Sequence, residues 1–220
     1  MLADQAIRCR DADVIVAGGM ENMSKSPYYL MDARHGMRLG DKQVVDAIIR
    51  DGLWDPYGDM HMGNCAEVLA KEGNYSREEQ DQFARESYRR SLEAIKMGFF
   101  KDEIVPVKVP QRKGNPIVVE IDEEPEQVNS EKMSKLRTAF EKDGTITAAN
   151  ASSINDGAAA LILMSNEKST ELDIQPLCKI IAQSSIAQEP LYFTTAPGKA
   201  ISKVLDKSAL SIDDINLFEI

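Results

Sequence analysis

Two apolar runs that border glycines constrain the fold of this chain more than any other feature. Val14–Ala17 precede Gly18 and Gly19, and Gly157 precedes the run Ala158–Met164. A short, continuous apolar run next to turn residues is typical of a strand that is buried on both faces of a sheet. Helical patterns lie beside both runs, so the sequence predicts a layered α/β fold.

The stretch between the two runs predicts a large insertion into that α/β core. Glycine and proline recur through it, and its clearest helix begins with a capping box formed by Ser76 and Glu79 and ends at Gly98. Helices are predicted over residues 2–9, 41–50, 62–72, 77–97, 167–171 and 198–208. Strands are predicted over residues 13–20, 104–109, 115–120, 156–164, 177–184 and 215–220.

Composition and charge exclude several classes of function. The net charge of −10 argues against nucleic acid or an anionic membrane surface as the main partner, because both need a basic footprint. No apolar run is long enough for a transmembrane helix, and the N-terminus lacks the regions of a signal peptide. The three cysteines have no CxxC spacing, which indicates reduced thiols in a cytosol-like compartment, and two histidines are too few to favour a zinc site.

A histidine at a helix start is the sharpest single candidate for chemistry. His61 lies close to Gly63, and Cys65 follows four residues later, so that a Cys–His pair on one helical face is conceivable. The alternative is a histidine bonded to the backbone beside a structural cysteine, and the residues alone favour this alternative for both side chains.

Two further segments have a functional and a structural interpretation. Small residues over Ala148–Ile154 let a ligand approach the backbone closely, or form a tight packing turn. Lys132, Lys135 and Arg137 form a basic cluster that suits phosphate groups, or is simply a solvated face.

Several motifs together resemble thiolases, over the whole chain and in the order of that family. The matching segments are Val14-Ile15-Val16-Ala17-Gly18-Gly19-Met20-Glu21-Asn22-Met23-Ser24, His61-Met62-Gly63 with Ala66-Glu67, Ser76-Arg77-Glu78-Glu79-Gln80-Asp81 with Phe83-Ala84, Asp102-Glu103-Ile104-Val105-Pro106-Val107, Thr145-Ile146-Thr147-Ala148-Ala149-Asn150-Ala151-Ser152, and Asn155-Asp156-Gly157-Ala158-Ala159. The chain is identified as a member of the thiolase family on this combination.

The resemblance implies a fold, a domain organisation and an activity. The fold is a layered αβαβα core, present in part, with a large α/β loop-domain insertion. The implied domains are the end of the N-terminal core domain (1–22), a loop domain for coenzyme A binding and oligomer contacts (23–154), the last strand and helix of the N-terminal core domain (155–176) and the start of the C-terminal core domain (177–220). The implied activity is acetyl transfer between two acetyl-CoA molecules, which gives acetoacetyl-CoA and CoA, or the reverse thiolysis.

The resemblance also implies which residues bind coenzyme A, without a tightly bound cofactor. The Ser152 position hydrogen-bonds the pantetheine arm, and His61 is a polar residue beside the substrate, because the His-Met-Gly form is typical of thiolases that act on acetoacetyl substrates. The implied contacts are Leu53, His61, Met62, Lys132, Leu136, Phe140, Ala148, Ala151, Ser152, Ile154 and Phe193. One departure is that no arginine follows Asp122-Glu123 in the slot that contacts adenine in many thiolases.

Three further implications concern a cation, an oligomer and a compartment. Tyr88 with the carbonyls of Ala148, Ala149 and Ala151 resembles the monovalent-cation (K+) site of some thiolases; the alternative is a packed tyrosine. The loop with Arg34, His35, Arg38 and Lys42 matches the one that joins two thiolase dimers into a tetramer; the alternative is an exposed loop. Residues Phe193-Thr194-Thr195-Ala196-Pro197 resemble cytosolic thiolases.

The residues of thiolases that perform the central chemistry are expected outside these 220 residues. The acylated cysteine is expected just before Met1, and Cys9 lies at the wrong end of that helix. The Asn-Glu-Ala-Phe element, the catalytic histidine and the second cysteine are expected after Ile220. We therefore expect a fragment that is inactive by itself. Two alternatives remain: a thiolase for longer 3-ketoacyl-CoA chains, and a non-catalytic module that binds coenzyme A, in which the two apolar strands would have exposed faces.

Overall fold

The computed structural model describes residues 1–220, and these divide into two compact units. The first unit consists of Met1–Cys65 and Ile154–Ile220, and the second consists of Ala66–Ser153. This grouping assigns residues 23–65 to the first unit, whereas the resemblance to thiolases assigns them to the loop domain. The division into four domain segments therefore stays a prediction.

The chain forms α-helices and strands, and most of the strands are short. The α-helices are α1 (Leu2–Arg8), α2 (Met62–Glu72), α3 (Arg77–Met97), α4 (Glu124–Gln127), α5 (Asn166–Glu171) and α6 (Ala196–Ser208). The strands are β1 (Val14–Asn22), β2 (Tyr28–Tyr29), β3 (Val45–Asp46), β4 (Trp54–Asp55), β5 (Met60–His61), β6 (Val107–Val109), β7 (Ile117–Val119) and β8 (Asp156–Met164). 3-10 turns lie at Met23–Lys25, Ala33–His35, Met133–Lys135 and Ile212–Asp214, Pro190–Thr195 is a 3-10 segment with a kink at Tyr192, and a π-helix spans Ile48–Leu53. None of the helices combines the length and the apolar composition that a membrane span requires.

The two apolar runs form β1 and β8, which confirms both predicted strands. They pair antiparallel along their full length, from Val14 opposite Met164 to Asn22 opposite Asp156. Gly18 is required at the middle of β1, because a Cβ atom there would overlap the carbonyl oxygen of Ala159.

The predicted burial of these strands on both faces is wrong for the residues of this chain. The side chains of Val16 and Leu161 are each 70% exposed. Two strands form only one layer, and a layer buries its faces only against other elements. Helix α1 packs beside β1 and β8.

Three other predicted elements of the first unit are wrong. Residues 41–50 are not a helix: Val45–Asp46 pairs with β2, and a π-helix starts only at Ile48. The Asp46 carboxylate accepts a hydrogen bond from the Ile48 N–H at 2.8 Å. This side-chain bond to the backbone caps the turn that begins at Ile48 and is typical of a residue that precedes a helical turn. Residues 177–184 and 215–220 form no strand, because no other segment pairs with them.

The second unit is built around α2 and α3, and both helices confirm the prediction. Ser76 and Glu79 form the reciprocal capping box at the start of α3, with the Ser76 N–H donating to the Glu79 carboxylate at 2.8 Å. The Ser76 hydroxyl and N–H groups lower the pKa of Glu79. Gly98 ends the helix with φ of 70°, in the left-handed region that glycine adopts without strain.

The two predicted strands of the second unit form a short hairpin. β6 and β7 pair antiparallel, with Val107 opposite Val119, and both are shorter than predicted. Pro106 and Pro110 flank β6, and proline lacks the N–H that a longer ladder would need. All the valines and the isoleucine of this hairpin are exposed.

Candidate functional site

The small-residue segment of the second unit is held by a fully buried carboxylate from α2. Glu67 has no exposed surface, and its two oxygens accept hydrogen bonds from the Thr145 N–H at 2.9 Å and from the Ile146 N–H at 2.8 Å. The Thr145 hydroxyl donates to the same carboxylate at 3.0 Å. Gly144 leaves room for this approach, because a Cβ atom at residue 144 would overlap Glu67 Oε1.

A second buried carboxylate, from α3, holds the next part of the same segment. Asp81 has no exposed surface, and its Oδ1 accepts from Asn150 Nδ2 at 2.9 Å. The Asn150 side chain also donates to the Thr145 carbonyl at 3.1 Å and accepts from the Thr147 N–H at 2.7 Å. These bonds close residues 145–151 into a compact turn, in which Ala148 faces solvent.

The basic segment is attached to the same turn of α3. Arg77 donates from Nη2 to the Met133 carbonyl at 2.6 Å and from Nη1 to the Leu136 carbonyl at 3.4 Å. Met133 is fully buried, so it anchors the 3-10 turn Met133–Lys135, whereas Lys132 and Lys135 are exposed. The cationic side chains therefore face solvent on an anchored backbone.

Six predicted coenzyme A contacts lie in the second unit, and they come from the two segments just described and the chain between them. Ser152 and Ala148 are exposed, Ala151 and Phe140 are half-buried, and Leu136 is 39% exposed although it is apolar. The members are Lys132, Leu136, Phe140, Ala148, Ala151 and Ser152. An exposed apolar side chain next to exposed cations suits a ligand that has both apolar and anionic parts.

His61 lies in a small hairpin of the first unit, between β4 and α2. β5 pairs with β4 so that His61 is opposite Trp54, and His61 Nδ1 accepts a hydrogen bond from the Gly63 N–H at 2.9 Å. This bond fixes the ring and, because Nδ1 is the acceptor, the proton of the neutral imidazole is on Nε2. The backbone bond expected from the residues alone is present. Leu53 and Met62 lie at the two ends of the same region.

Cys65 is a structural cysteine and not a partner for nucleophilic chemistry. Its side chain is fully buried, and burial together with the charge of Asp55 raises the pKa of its thiol. The Asp55 carboxylate is held in place by the Tyr57 and Gly58 N–H groups at 3.0 and 3.1 Å. A thiol with a raised pKa holds little of the reactive thiolate.

The two remaining predicted contacts are exposed apolar side chains of the first unit. Ile154 is 60% exposed, and Phe193 is 38% exposed within the 3-10 turn Pro190–Thr195. The same unit carries the predicted tetramer loop, in which Lys42 forms an ion pair with Asp32 at 2.9 Å. A cavity of about 390 Å³ lies in this loop, lined in part by Met31, Met37 and Val45.

The tyrosine of the predicted cation site is engaged with a carboxylate. The Tyr88 hydroxyl donates to Glu124 at 2.8 Å, and burial together with this bond raises the pKa of Tyr88 to about 12. No group of three or more His, Cys, Asp or Glu side chains is arranged to hold a metal ion. The K+ site stays a prediction.

The sequence did not predict the supporting role of the residues that hold the site. Glu67, Asp81 and Asn150 appeared there only as parts of matching motifs, although each supports the backbone of residues 145–151. One signal was available: Arg77 and Asp81 are four residues apart on a helix, which is the spacing of an ion pair on one face. Nothing local indicated that this pair is buried.

Comparison with known proteins identifies relatives over the whole chain. The thiolase N-terminal domain matches residues 1–167. A protein of Yarrowia lipolytica named acetyl-CoA acetyltransferase is 50% identical over 219 residues, which cover 100% of this chain and 54% of that protein. A Pseudomonas aeruginosa protein of the same name is 48% identical, over 99% of this chain and 56% of its own length. The crystal structure of Bacillus anthracis acetyl-CoA acetyltransferase aligns with a TM-score of 0.93 at 40% identity and covers 99% of this chain and 55% of that one. The chain thus spans about half the length of the relatives that it matches, and it has the α/β fold of the solved one.

Proposed function

The chain belongs to the thiolase family, and on that premise we propose that it forms the coenzyme A-binding part of an acetyl-CoA C-acetyltransferase. The reaction joins two acetyl-CoA molecules into acetoacetyl-CoA with release of CoA, or cleaves acetoacetyl-CoA with CoA in the reverse direction. Relatives that bear this name are about half identical to the chain, which supports the choice of acetyl groups over longer acyl groups.

One observation carries the proposal: an exposed turn of small residues is anchored from behind by two buried carboxylates. On the inner side of residues 145–151, Glu67 accepts from the backbone N–H groups of Thr145 and Ile146, and Asp81 accepts from the Asn150 side chain. Ala148 in this turn and Ser152 directly after it are exposed, so a flat, extended ligand can approach the backbone here without displacing a large side chain. The pantetheine arm of coenzyme A is such a ligand, and we propose that the Ser152 hydroxyl bonds one of its amide groups.

The remaining contacts follow from the chemistry of coenzyme A. Its phosphates are anionic, and we propose that Lys132 binds them as a point charge. Leu53, Met62, Leu136, Phe140, Ala151, Ile154 and Phe193 are proposed as apolar contacts of the arm and the adenine. His61, with its proton on Nε2, is proposed as a hydrogen-bond donor to the substrate side of the thioester.

We propose that the nucleophile and the acid/base groups of the reaction come from residues other than those of this chain. Cys65 is buried with a raised pKa, which opposes thiolate formation. Neither exposed cysteine, Cys9 nor Cys178, has a hydrogen-bonded histidine among its contacts in the structure. The 220 residues alone are therefore expected to catalyse no turnover.

Finer features of the parent enzyme are also proposals. A homodimer or homotetramer with contacts through Arg34–Lys42, a K+ ion near Tyr88, and a cytoplasmic location follow from the resemblance to thiolases. Sedimentation of the protein, a comparison of K+ with Na+ in the assay, and microscopy of a tagged protein test these three features.

The deciding experiment measures turnover and binding with the whole gene product. We expect thiolysis of acetoacetyl-CoA to be much faster than thiolysis of 3-ketooctanoyl-CoA; the opposite preference would indicate a long-chain thiolase. Ser152→Ala should weaken CoA binding about threefold to tenfold, the loss expected for one hydrogen bond. Ser130→Ala, an exposed serine of the same unit, is the matched control. CoA binding without any turnover by the whole product would favour the non-catalytic module.

A further inference from the structure

We infer that Arg77, Asp81 and Asn150 form a positioning relay that fixes the spacing between the two segments that bind coenzyme A. The first of these, the phosphate segment, is Lys132–Leu136, and the second, the pantetheine segment, is Ala148–Ser152. The inference rests on the proposed function for the identity of the ligand. It adds that three residues with no proposed ligand contact set the affinity.

One end of the relay holds the phosphate segment. The Arg77 guanidinium donates to the Met133 carbonyl at 2.6 Å and to the Leu136 carbonyl at 3.4 Å, so two carbonyls of the segment are attached to one planar group. The same guanidinium donates from Nε to Asp81 Oδ2 at 2.9 Å. A guanidinium presents its donors in a fixed fork, and an ammonium group cannot make the three bonds at these positions.

The other end of the relay holds the pantetheine segment. Asp81 Oδ1 accepts from Asn150 Nδ2 at 2.9 Å, and Asn150 Oδ1 accepts from the Thr147 N–H at 2.7 Å. One oxygen of this fully buried carboxylate therefore accepts from Arg77, which holds the phosphate segment, and the other accepts from Asn150 in the pantetheine segment. A shift of the pantetheine segment would strain the Asp81–Asn150 bond, and a shift of the phosphate segment would strain the bonds from Arg77, which Asp81 holds in place. The loss of such a charge-assisted bond is costly.

Fixed spacing matters only for a ligand that contacts both segments. Coenzyme A has phosphates for the first segment and a pantetheine arm for the second, so it gains affinity from a backbone that is already in position. Pantetheine alone contacts only the second segment and gains nothing from the spacing. A general loss of stability would weaken both ligands by the same factor, so the ratio of the two dissociation constants separates positioning from stability.

The test uses the whole gene product and two gentle substitutions. Arg77→Lys keeps the positive charge beside Asp81 and loses the fork, and Asn150→Ala removes the link to the pantetheine segment. For each variant, the dissociation constants of CoA and of pantetheine are measured by calorimetry or saturation-transfer NMR. Arg85→Lys is the matched control, because Arg85 lies on the same helix and pairs only with Glu78, at 3.1 Å.

We expect Arg77→Lys to weaken CoA binding about tenfold and pantetheine binding less than about twofold, as for the loss of charge-assisted bonds at one segment. The double variant Arg77→Lys/Asn150→Ala should weaken CoA binding by much less than the product of the single effects, because both act through Asp81. Arg85→Lys should change neither constant.

Other outcomes would contradict either the inference or the proposed function. If Arg77→Lys weakens CoA and pantetheine by equal factors, or if the effects of the two substitutions on CoA binding multiply, the relay has only a structural role and the inference is wrong. If the unsubstituted protein binds CoA and Arg77→Lys leaves its affinity unchanged, the inference is wrong while the proposed function stands. If the unsubstituted protein binds no CoA, the proposed function itself is wrong.

Discussion

Replacement of Glu67 by glutamine should destabilise the second unit although it changes the side-chain shape very little. The carboxylate accepts the N–H groups of Thr145 and Ile146 and the Thr145 hydroxyl, at 2.8 to 3.0 Å, and has no exposed surface. The amide of glutamine keeps one acceptor oxygen and directs an NH₂ group at an N–H group. At least one buried backbone donor then loses its partner.

The magnitude follows from two opposing effects. An unpaired buried donor costs about 1–3 kcal/mol, and the bonds that remain lose about 1 kcal/mol because their acceptor is now neutral. Relief of the desolvation of the buried carboxylate offsets part of this loss. The losses prevail, so Glu67→Gln should lower the free energy of unfolding by about 2 kcal/mol, and Tm should fall by about 4–8 °C for a chain of this length.

Urea unfolding followed by circular dichroism measures this loss. Glu78→Gln is the matched control: Glu78 pairs with Arg85 on the exposed side of α3, where an ion pair contributes about 0–1 kcal/mol. Hydrogen exchange at the Thr145 and Ile146 amides should accelerate in Glu67→Gln and stay unchanged in the control. If both variants lose less than about 0.5 kcal/mol, the range of ordinary surface substitutions, Glu67 does not anchor this turn.

Three further predictions concern Gly144, Tyr88 and Cys65. Gly144→Ala should lower Tm by several degrees, because the new methyl group would overlap Glu67, and thermal unfolding measures this. Tyr88 should ionise near pH 12 by ultraviolet titration, since burial and Glu124 stabilise its neutral form. Its pKa in the folded state is above the ordinary value of 10.0, so its contribution to stability is complete below pH 10 and is lost between about pH 10 and 12. Glu124→Gln should lower this pKa only in part, because burial is the larger cause. Cys65 should react slowly with a thiol reagent at neutral pH, because it is buried with a raised pKa.

Two of these outcomes, those for Gly144→Ala and for Cys65, have a control in the same chain. Gly157→Ala should leave Tm nearly unchanged, because a methyl group at residue 157 meets no atom within 4 Å. Cys9 and Cys178 are exposed and should react first with the thiol reagent. Equal Tm losses at both glycines, an ordinary pKa for Tyr88, or equal reactivity of all three cysteines would contradict the corresponding explanation.

Local signals predicted the elements whose causes are local. The capping box at Ser76 and the glycine at residue 98 define both ends of α3 as expected, because each bond spans only a few residues. The apolar runs also predicted β1 and β8, although these strands form by pairing with each other across a long stretch of the chain. Residues 177–184 have a strand-like composition and form no strand, because strand formation depends on a partner that the composition does not specify.

The site shows the same limit. The sequence pointed to Ala148 and Ser152 through their small size, which is a property of those residues themselves. It did not indicate that Asp81 joins Arg77 to Asn150. Asp81 and Asn150 are 69 positions apart along the chain. Buried carboxylates look like surface residues in a sequence, since only the fold removes their access to water.

Hydrogen exchange of the whole gene product with and without saturating CoA tests the central proposal most directly. We expect CoA to slow exchange in Lys132–Leu136 and in Ala148–Ser152 together, and to leave the hairpin of β6 and β7 unchanged. Slower exchange confined to other parts of the chain, or no change at saturation, would contradict the proposal that these two segments bind coenzyme A.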